Sequence, residues 1–278
     1  MRSLILCRYG ELTLKGNNRV LFERCLTQNI KQMLYHANIP GKITRKRGRT
    51  FVEVDDEQQA AAIAVLQRVF GLTSVSSVLT AALDYPAIEA AIKQLLNEKS
   101  FTTFAVRAQR LQKVLDPTPQ IQQKLGKFIA EQFGKKVDLT NPDLELSIEI
   151  IDQAYLFVDR FPAPGGLPAG IEGTIYAVIE SDADMLAAWL AMKRGCTAIP
   201  VQRKLSPIDL LIAYGCTTKP IPINNLNDLD ATKAEAIVVG DAVPDTHPSL
   251  PVLRPLVGYT GQQITKKIEE LCTPLSRK

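Results

Sequence analysis

At 278 residues, 46% hydrophobic and 22% charged, the chain has the composition of an ordinary globular protein and the length for two or three cored domains. No apolar run reaches the roughly 18–20 residues that span a bilayer, the short apolar start reads as a strand and not as a leader, and five scattered cysteines with only His36 and His247 argue against a disulfide framework or a metal centre. The net charge of +4 is unevenly placed: residues 1–75 carry 12 Lys/Arg against 6 Asp/Glu, whereas the rest is near balance, which suits a polyanionic partner such as nucleic acid.

In chain order, Leu4–Arg8 reads as a strand. Asn17 or Asn18 then caps a helix to about His36, with Phe22, Leu26, Ile30, Met33 and Leu34 on one face. Lys42–Arg47 and Thr50–Val54 flank Gly48 as a hairpin, Gln58–Phe70 is a second helix, and Leu72–Leu79 is a closing strand. That order, β-α-β-β-α-β, is the ferredoxin-like arrangement. A second unit follows: helix Tyr85–Glu98 started by Asp84, strand Thr103–Gln109, helix Thr118–Phe133, and strands Leu144–Ile151 and Gln153–Asp159. Residues 161–174, dense in proline and glycine, form a linker.

Beyond the linker come strand Ile175–Ile179, helix Met185–Lys193, strand Thr197–Val201, helix Pro207–Tyr214, strands Pro220–Ile223 and Ala236–Val239, and helix Gln262–Cys272. The alternation predicts a small, doubly wound parallel sheet. The fold class is therefore α/β with α+β N-terminal modules, divided into domains at 1–75, 76–165 and 166–278.

Three stretches carry chemistry. In Tyr9–Arg19, the cations Lys15 and Arg19 stand at a helix start, where they oppose the dipole, and this hints at an acidic partner. Between residues 99 and 136, eight Lys/Arg face only Asp116 and Glu131, a cluster suited to phosphate contacts. The turn Glu180-Ser181-Asp182-Ala183-Asp184 lies where an α/β domain normally holds phosphate, yet it has three acids and no glycine. Capping accounts for these residues without a ligand: Ser181 or Asp182 starts the helix, and Asp184 complements its dipole.

Several strings, in order along nearly the whole chain, resemble the tRNA 4-thiouridine synthetase (tRNA sulfurtransferase) family. They are Tyr9–Arg19 with Phe22-Glu23, Phe104–Arg110 with Lys113, Val137–Leu146, Pro164–Gly170, Met192–Gly195, Val238–Asp241 and Leu253–Tyr259. The resemblance implies a ferredoxin-like domain, a THUMP RNA-binding domain and a PP-loop domain. It also implies tRNA as partner; among the basic residues, Lys15, Arg19, Arg45, Arg47, Arg107, Arg110 and Lys113 are the expected phosphate contacts.

The departures concern the third unit. The family's Ser-Gly-Gly-x-Asp-Ser loop aligns with Glu180, Ser181, Asp182, Ala183, Asp184 and Met185, of which only Asp184 is kept. Like charges at ~4 Å and an effective dielectric near 20 cost on the order of 4 kcal/mol, so Glu180 and Asp182 oppose a polyphosphate there. The family's glycine-glutamate is Gly240-Asp241, and the chain ends at Lys278 without a cysteine matching the family's sulfur carrier; Cys272 stands elsewhere.

The expectation is a cytoplasmic tRNA-binding relative involved in thiolation, with a lost pyrophosphatase loop. No catalytic residue, metal or cofactor is expected, and ATP and magnesium are disfavoured. A sulfur-transfer or tRNA-modification protein and a second copy of the chain are candidate partners; no membrane is. The alternatives are an active ATP-dependent tRNA sulfurtransferase, working through the altered loop or a partner's active site, and a protein-interaction module that does not bind RNA.

Overall fold

The computed structural model describes residues 2–10, 18–204, 207–240 and 247–273. Strand β1 (Arg2–Tyr9) is flanked by β3 (Arg49–Asp55) and β4 (Leu72–Ala81), antiparallel to both, and β2 (Lys42–Lys46) adds outside β3. Helices α1 (Arg19–His36) and α2 (Gln59–Leu66) cover one face. Phe22, Leu26, Ile30 and Leu34 recur every fourth residue on α1 and meet Ile5, Cys7, Val52 and Val54, which alternate along their strands.

The expected β-α-β-β-α-β order is present, with two local differences. α2 stops at Leu66 and not at Phe70, because Arg68 and Val69 turn back to bond the carbonyls of Val65 and Leu66. Asn18 precedes α1 but makes no side-chain capping bond.

The second unit comprises α3 (Tyr85–Leu96), β5 (Thr103–Arg110), α4 (Thr118–Phe133), β6 (Lys136–Val137), β7 (Leu144–Ile150) and β8 (Ala154–Phe157), followed by β9 (Phe161–Pro162). Asp84 caps α3 by accepting the Ala87 N–H at 2.8 Å, as its position before the helix suggests. Ten-residue β4 joins the two units: its stretch Leu72–Val78 pairs with β1 and β9, and Leu79–Ala81 with β8. One nine-stranded sheet results, in the order β2-β3-β1-β4-β8-β7-β5-β6 with β9 on β4. The expected boundary at 75/76 falls inside that shared strand.

The third unit is a parallel sheet of β10 (Thr174–Val178), β11 (Thr197–Gln202), β12 (Ile221–Pro222), β13 (Ala236–Val238) and β14 (Val252–Leu253). Its order is β12-β11-β10-β13-β14, so the winding reverses between β10 and β13. Helices α5 (Asp182–Lys193), α6 (Asp209–Ala213) and α7 (Gly261–Cys272) share one core cluster. On the opposite face the cover is irregular, with Leu226, Leu229, Ala234 and Leu250 packing on Tyr176, Val178 and Ile237.

The third unit is docked on the first. Phe70, from the turn between α2 and β4, lies in the core of the third unit, 5.4 Å from the Trp189 ring and 5.4 Å from the Tyr214 ring. The linker is pinned beside it: Gly71 N–H bonds Gly165 O at 2.8 Å, and Asn29 Nδ2 donates to Ala169 O at 3.0 Å.

Candidate nucleic-acid interface and the strand-to-helix turn

The hairpin between β2 and β3 turns on Arg47 and Gly48, both with positive φ (44° and 77°). A two-residue turn with both φ values positive matches the twist of the flanking strands. It holds Arg45, Lys46 and Arg47 over the start of α1, where Arg19 and Val20 stand. Together with Tyr9 and Glu23 they line a cleft of about 560 Å³.

Glu23 organises this cleft. It accepts from Tyr9 Oη at 2.8 Å and Arg19 Nε at 2.8 Å, and Arg45 Nη1 lies 3.6 Å away. Burial pushes its carboxyl up, but the bonds from Arg19 and Tyr9 and the charge of Arg45 outweigh that and hold it below the ordinary value. Burial and the same carboxylate push the Tyr9 phenol up to about 12. One acid thus serves several cations, and the cleft keeps a positive surplus.

The hairpin also reaches the second unit. Lys46 Nζ bonds Asp152 Oδ2 at 2.6 Å, and Arg49 Nη2 donates to Gln109 Oε1 at 3.2 Å, one residue before Arg110. Beneath it, Arg8 and Arg49 grip the two oxygens of Glu149 at 2.5 and 2.7 Å, all three side chains being nearly buried. Burial pulls the Arg8 guanidinium below its ordinary value in spite of Glu149. Arg8 also lies 4.2 Å over the Phe157 ring, and its Nη2 has no hydrogen-bond partner. This cluster binds β1 and β3 to β7 and fixes the two units as one surface.

The other predicted contacts fall as follows. Arg107 pairs with Glu145 at 3.1 Å and donates to Leu139 O at 2.8 Å, at the rim of a second cleft of about 400 Å³. That cleft is apolar inside, with Phe104, Val106, Val137 and Leu139, and carries Lys127 at its edge; Val137 and Leu139 are more than half exposed. Arg110 donates to the carbonyls of Leu115 and Asp116 at 3.2 and 2.9 Å, so much of its donor capacity holds its own loop. Lys113 is exposed on that loop, and Lys15 lies outside the described residues. The structure therefore brings Arg19, Arg45 and Arg47 together, leaves Arg110 bonded to its own loop, and puts Arg107 at a separate cleft. Lys46, Tyr9 and Glu23 join the cleft without having been expected as contacts; Phe22-Glu23 belongs to one of the family-like strings, but nothing local reveals that its acid organises the hairpin's cations.

At the strand-to-helix turn, Ser181 caps α5, its Oγ accepting the Asp184 N–H at 3.3 Å. Asp184 is buried at 8% exposure. One of its oxygens accepts from Ser181 Oγ at 2.7 Å and from Glu180 N at 3.2 Å; the other accepts from Gly240 N at 2.7 Å. A backbone N–H at the end of each of the two strands beside the switch point is thereby taken by this carboxylate. Gly240 is packed tightly there: a Cβ would lie 2.7 Å from the Ala183 carbonyl carbon and 2.8 Å from the Asp184 nitrogen. Glu180, Ser181, Asp182, Met185 and Cys272 line a shallow cleft beyond, and Arg203 approaches Glu180 at 3.5 Å. Among the described residues no three His, Cys, Asp or Glu side chains are placed to hold a metal ion, and no helix is long and apolar enough to cross a membrane.

The sheet shared through β4 defines a class: a ferredoxin-like domain fused to a second α/β domain. Residues 4–76 match the ThiI ferredoxin-like domain and residues 82–159 the THUMP domain. The chain belongs with the proteins built on that pair of domains, and it is a homologue of the tRNA sulfurtransferases.

It is 41% identical over 200 residues to the probable tRNA sulfurtransferase of Moorella thermoacetica, covering 70% of this chain and 50% of that protein. With the probable tRNA sulfurtransferase of Methanocaldococcus jannaschii it shares 34% over 213 residues, 73% of this chain and 56% of the other. The chain thus spans about half the length of these curated relatives. Its fold is similar to that of PH1313 from Pyrococcus horikoshii Ot3, with TM-score 0.83, 26% identity, and coverage of 98% of this chain and 100% of that one. It also shares its fold with a 4-thiouridine synthetase solved as an RNA complex with bound ATP: TM-score 0.75, 22% identity, 98% of this chain and 85% of that one.

Proposed function

We propose that this chain binds tRNA across its two joined N-terminal domains, as a component of tRNA thiolation. The observation that carries the reading is the cleft in which Arg19, Arg45 and Arg47 lie beside a single carboxylate, Glu23, with Lys46 at its edge held by Asp152. Phosphate oxygens would take the cations that Glu23 does not satisfy, which positions a strand without reading its bases. Beside Arg107 and Lys127, the apolar cleft walled by Phe104, Val137 and Leu139 fits the flat face of an unpaired base. The buried Arg8–Glu149–Arg49 cluster keeps the two domains in one register, so that one strand of RNA can engage both.

The second part of the proposal is that the third unit does not hold a nucleotide's phosphates at the turn after β10. Anion binding at such a turn uses free backbone N–H groups, and those of Glu180 and Gly240 already serve Asp184. Glu180 and Asp182 line the cleft beyond and would repel a polyphosphate. The residues present do not fit the triphosphate of ATP.

Thermal-shift measurements with tRNA and with Mg-ATP test both parts. tRNA should raise Tm, and Mg-ATP alone should leave it unchanged. No stabilisation by tRNA would overturn the first part. A micromolar affinity for Mg-ATP that Asp184→Ala abolishes would overturn the second.

A further inference from the structure

Helix α1 carries a line of exposed side chains beyond the clefts already described. Arg24, Gln28, Lys31 and Tyr35 follow one another at helical spacing, so they form one stripe along the axis. All four are exposed, and none lines the hairpin cleft or the apolar cleft beside Arg107. Arg24 and Lys31 make no ion pair or side-chain hydrogen bond among the described residues. Between Asn18 and Gly48 the chain carries seven Lys/Arg and a single acid, Glu23. That acid is already taken by Tyr9, Arg19 and Arg45, so no carboxylate of this segment is left to neutralise the stripe.

The stripe leads from one opening to another. Arg19, the first residue of α1, lines the hairpin cleft. Tyr35, one residue before the end of α1, lines a different cleft of about 400 Å³ with Lys31, Leu34, Ile39, Pro40 and Ile43. Strand β2 accompanies the helix: its Ile43 lines the Tyr35 cleft and its Arg45 the hairpin cleft. The two clefts are therefore the ends of one course, and the helix covers about 17 Å from Arg24 to Tyr35 at its rise per residue.

The chemistry changes along that course. Unpaired cations on an exposed helix face suit backbone phosphates, which need charge and no fixed base geometry. At the far end the Tyr35 ring is 77% exposed, with His36 meeting it edge-on at 5.8 Å between centroids. No Asp or Glu lines the cleft beside it, and Lys31 stands at its edge. An open aromatic ring next to a cation is how proteins hold a single-stranded nucleotide, the base stacking on the ring and the phosphate meeting the charge.

We propose that α1 provides a further RNA contact: the strand held at the hairpin cleft continues along Arg24 and Lys31, and an unpaired nucleotide stacks on Tyr35. The inference rests on the tRNA reading and lengthens the surface that reading assigns.

The test measures tRNA binding to the full chain by fluorescence anisotropy over a range of salt. Tyr35→Ala should weaken binding at least about fivefold, the lower end of the cost of losing one base–aromatic stack. Tyr35→Phe keeps the ring and should bind within about twofold of the wild type. Arg24→Gln combined with Lys31→Gln should lower the slope of log Kd against log salt by about 1–2. These positions are exposed, so an unchanged Tm should confirm that each variant is folded. Arg45→Ala serves as the control for the hairpin cleft. The inference is overturned if Tyr35→Ala or the double variant binds as the wild type does while Arg45→Ala binds more weakly, a result that leaves the hairpin cleft standing. It is also overturned if Tyr35→Phe binds as weakly as Tyr35→Ala. Failure of the wild type to bind tRNA would overturn both readings.

Discussion

The carboxylate of Asp184 accepts the backbone N–H of Gly240 at 2.7 Å and thereby ties the first turn of α5 to the end of β13. The same side chain takes Ser181 Oγ and Glu180 N. Asp184→Ala would leave buried donors unpaired, at about 1–3 kcal/mol for each group that water cannot reach. We expect a loss of about 2–4 kcal/mol in urea unfolding, and a smaller one for Asp184→Asn, which keeps an acceptor oxygen.

Gly240→Ala is expected to destabilise by about 1–3 kcal/mol, because the added Cβ meets the backbone of Ala183 and Asp184 and not a side chain that can move away. Equilibrium denaturation checks this. A neutral effect would mean that the strand end and the helix start can separate freely.

Phe70→Ala should be the most disruptive single change outside the sheets. It removes an aromatic side chain that is 2% exposed in a core belonging to another unit, at about 3–5 kcal/mol. Near-ultraviolet circular dichroism and Trp189 emission should change with it, whereas hydrogen exchange in α4, remote from this core, should stay as in the wild type.

Acid should weaken the cleft at the β2–β3 hairpin. The Glu23 carboxyl lies below its ordinary value of 4.5 in the folded chain. Its contribution is therefore complete above about pH 4.5 and is lost as pH falls through the lower, folded value. Glu23→Gln should flatten that part of the stability-pH curve below pH 4.5 and leave the neutral range nearly parallel to the wild type.

Much of the fold was legible because it rests on local periodicity. The fourfold spacing of Phe22, Leu26, Ile30 and Leu34, the cap at Asp84 and the proline- and glycine-rich linker each act within a few residues. What stayed hidden depends on pairings far apart in sequence. Alternation along β4 does not reveal that its beginning and its last three residues pair with different units. Phe70 reads as the end of an apolar helix, and only the tertiary fold sends it into the core around Trp189.

The candidate site divides in the same way. Arginines could be counted, but whether one meets phosphate or its own backbone is set by neighbours, as Arg110 illustrates by donating to Leu115 and Asp116. Of the two residues that could start α5, Ser181 and Asp182, the fold uses Ser181. The reach of Asp184 to Gly240, 56 residues away, had no local signal.

Affinity for tRNA as a function of salt tests the central claim most directly. We expect log Kd against log salt to be steep for the wild type. Arg45→Ala and Arg47→Ala should each lower the slope by about 1, the effect of one phosphate left without its cation, and should clearly weaken binding at physiological salt. Unchanged affinity and slope in the double variant, or tRNA bound no better than an unrelated polyanion, would contradict it.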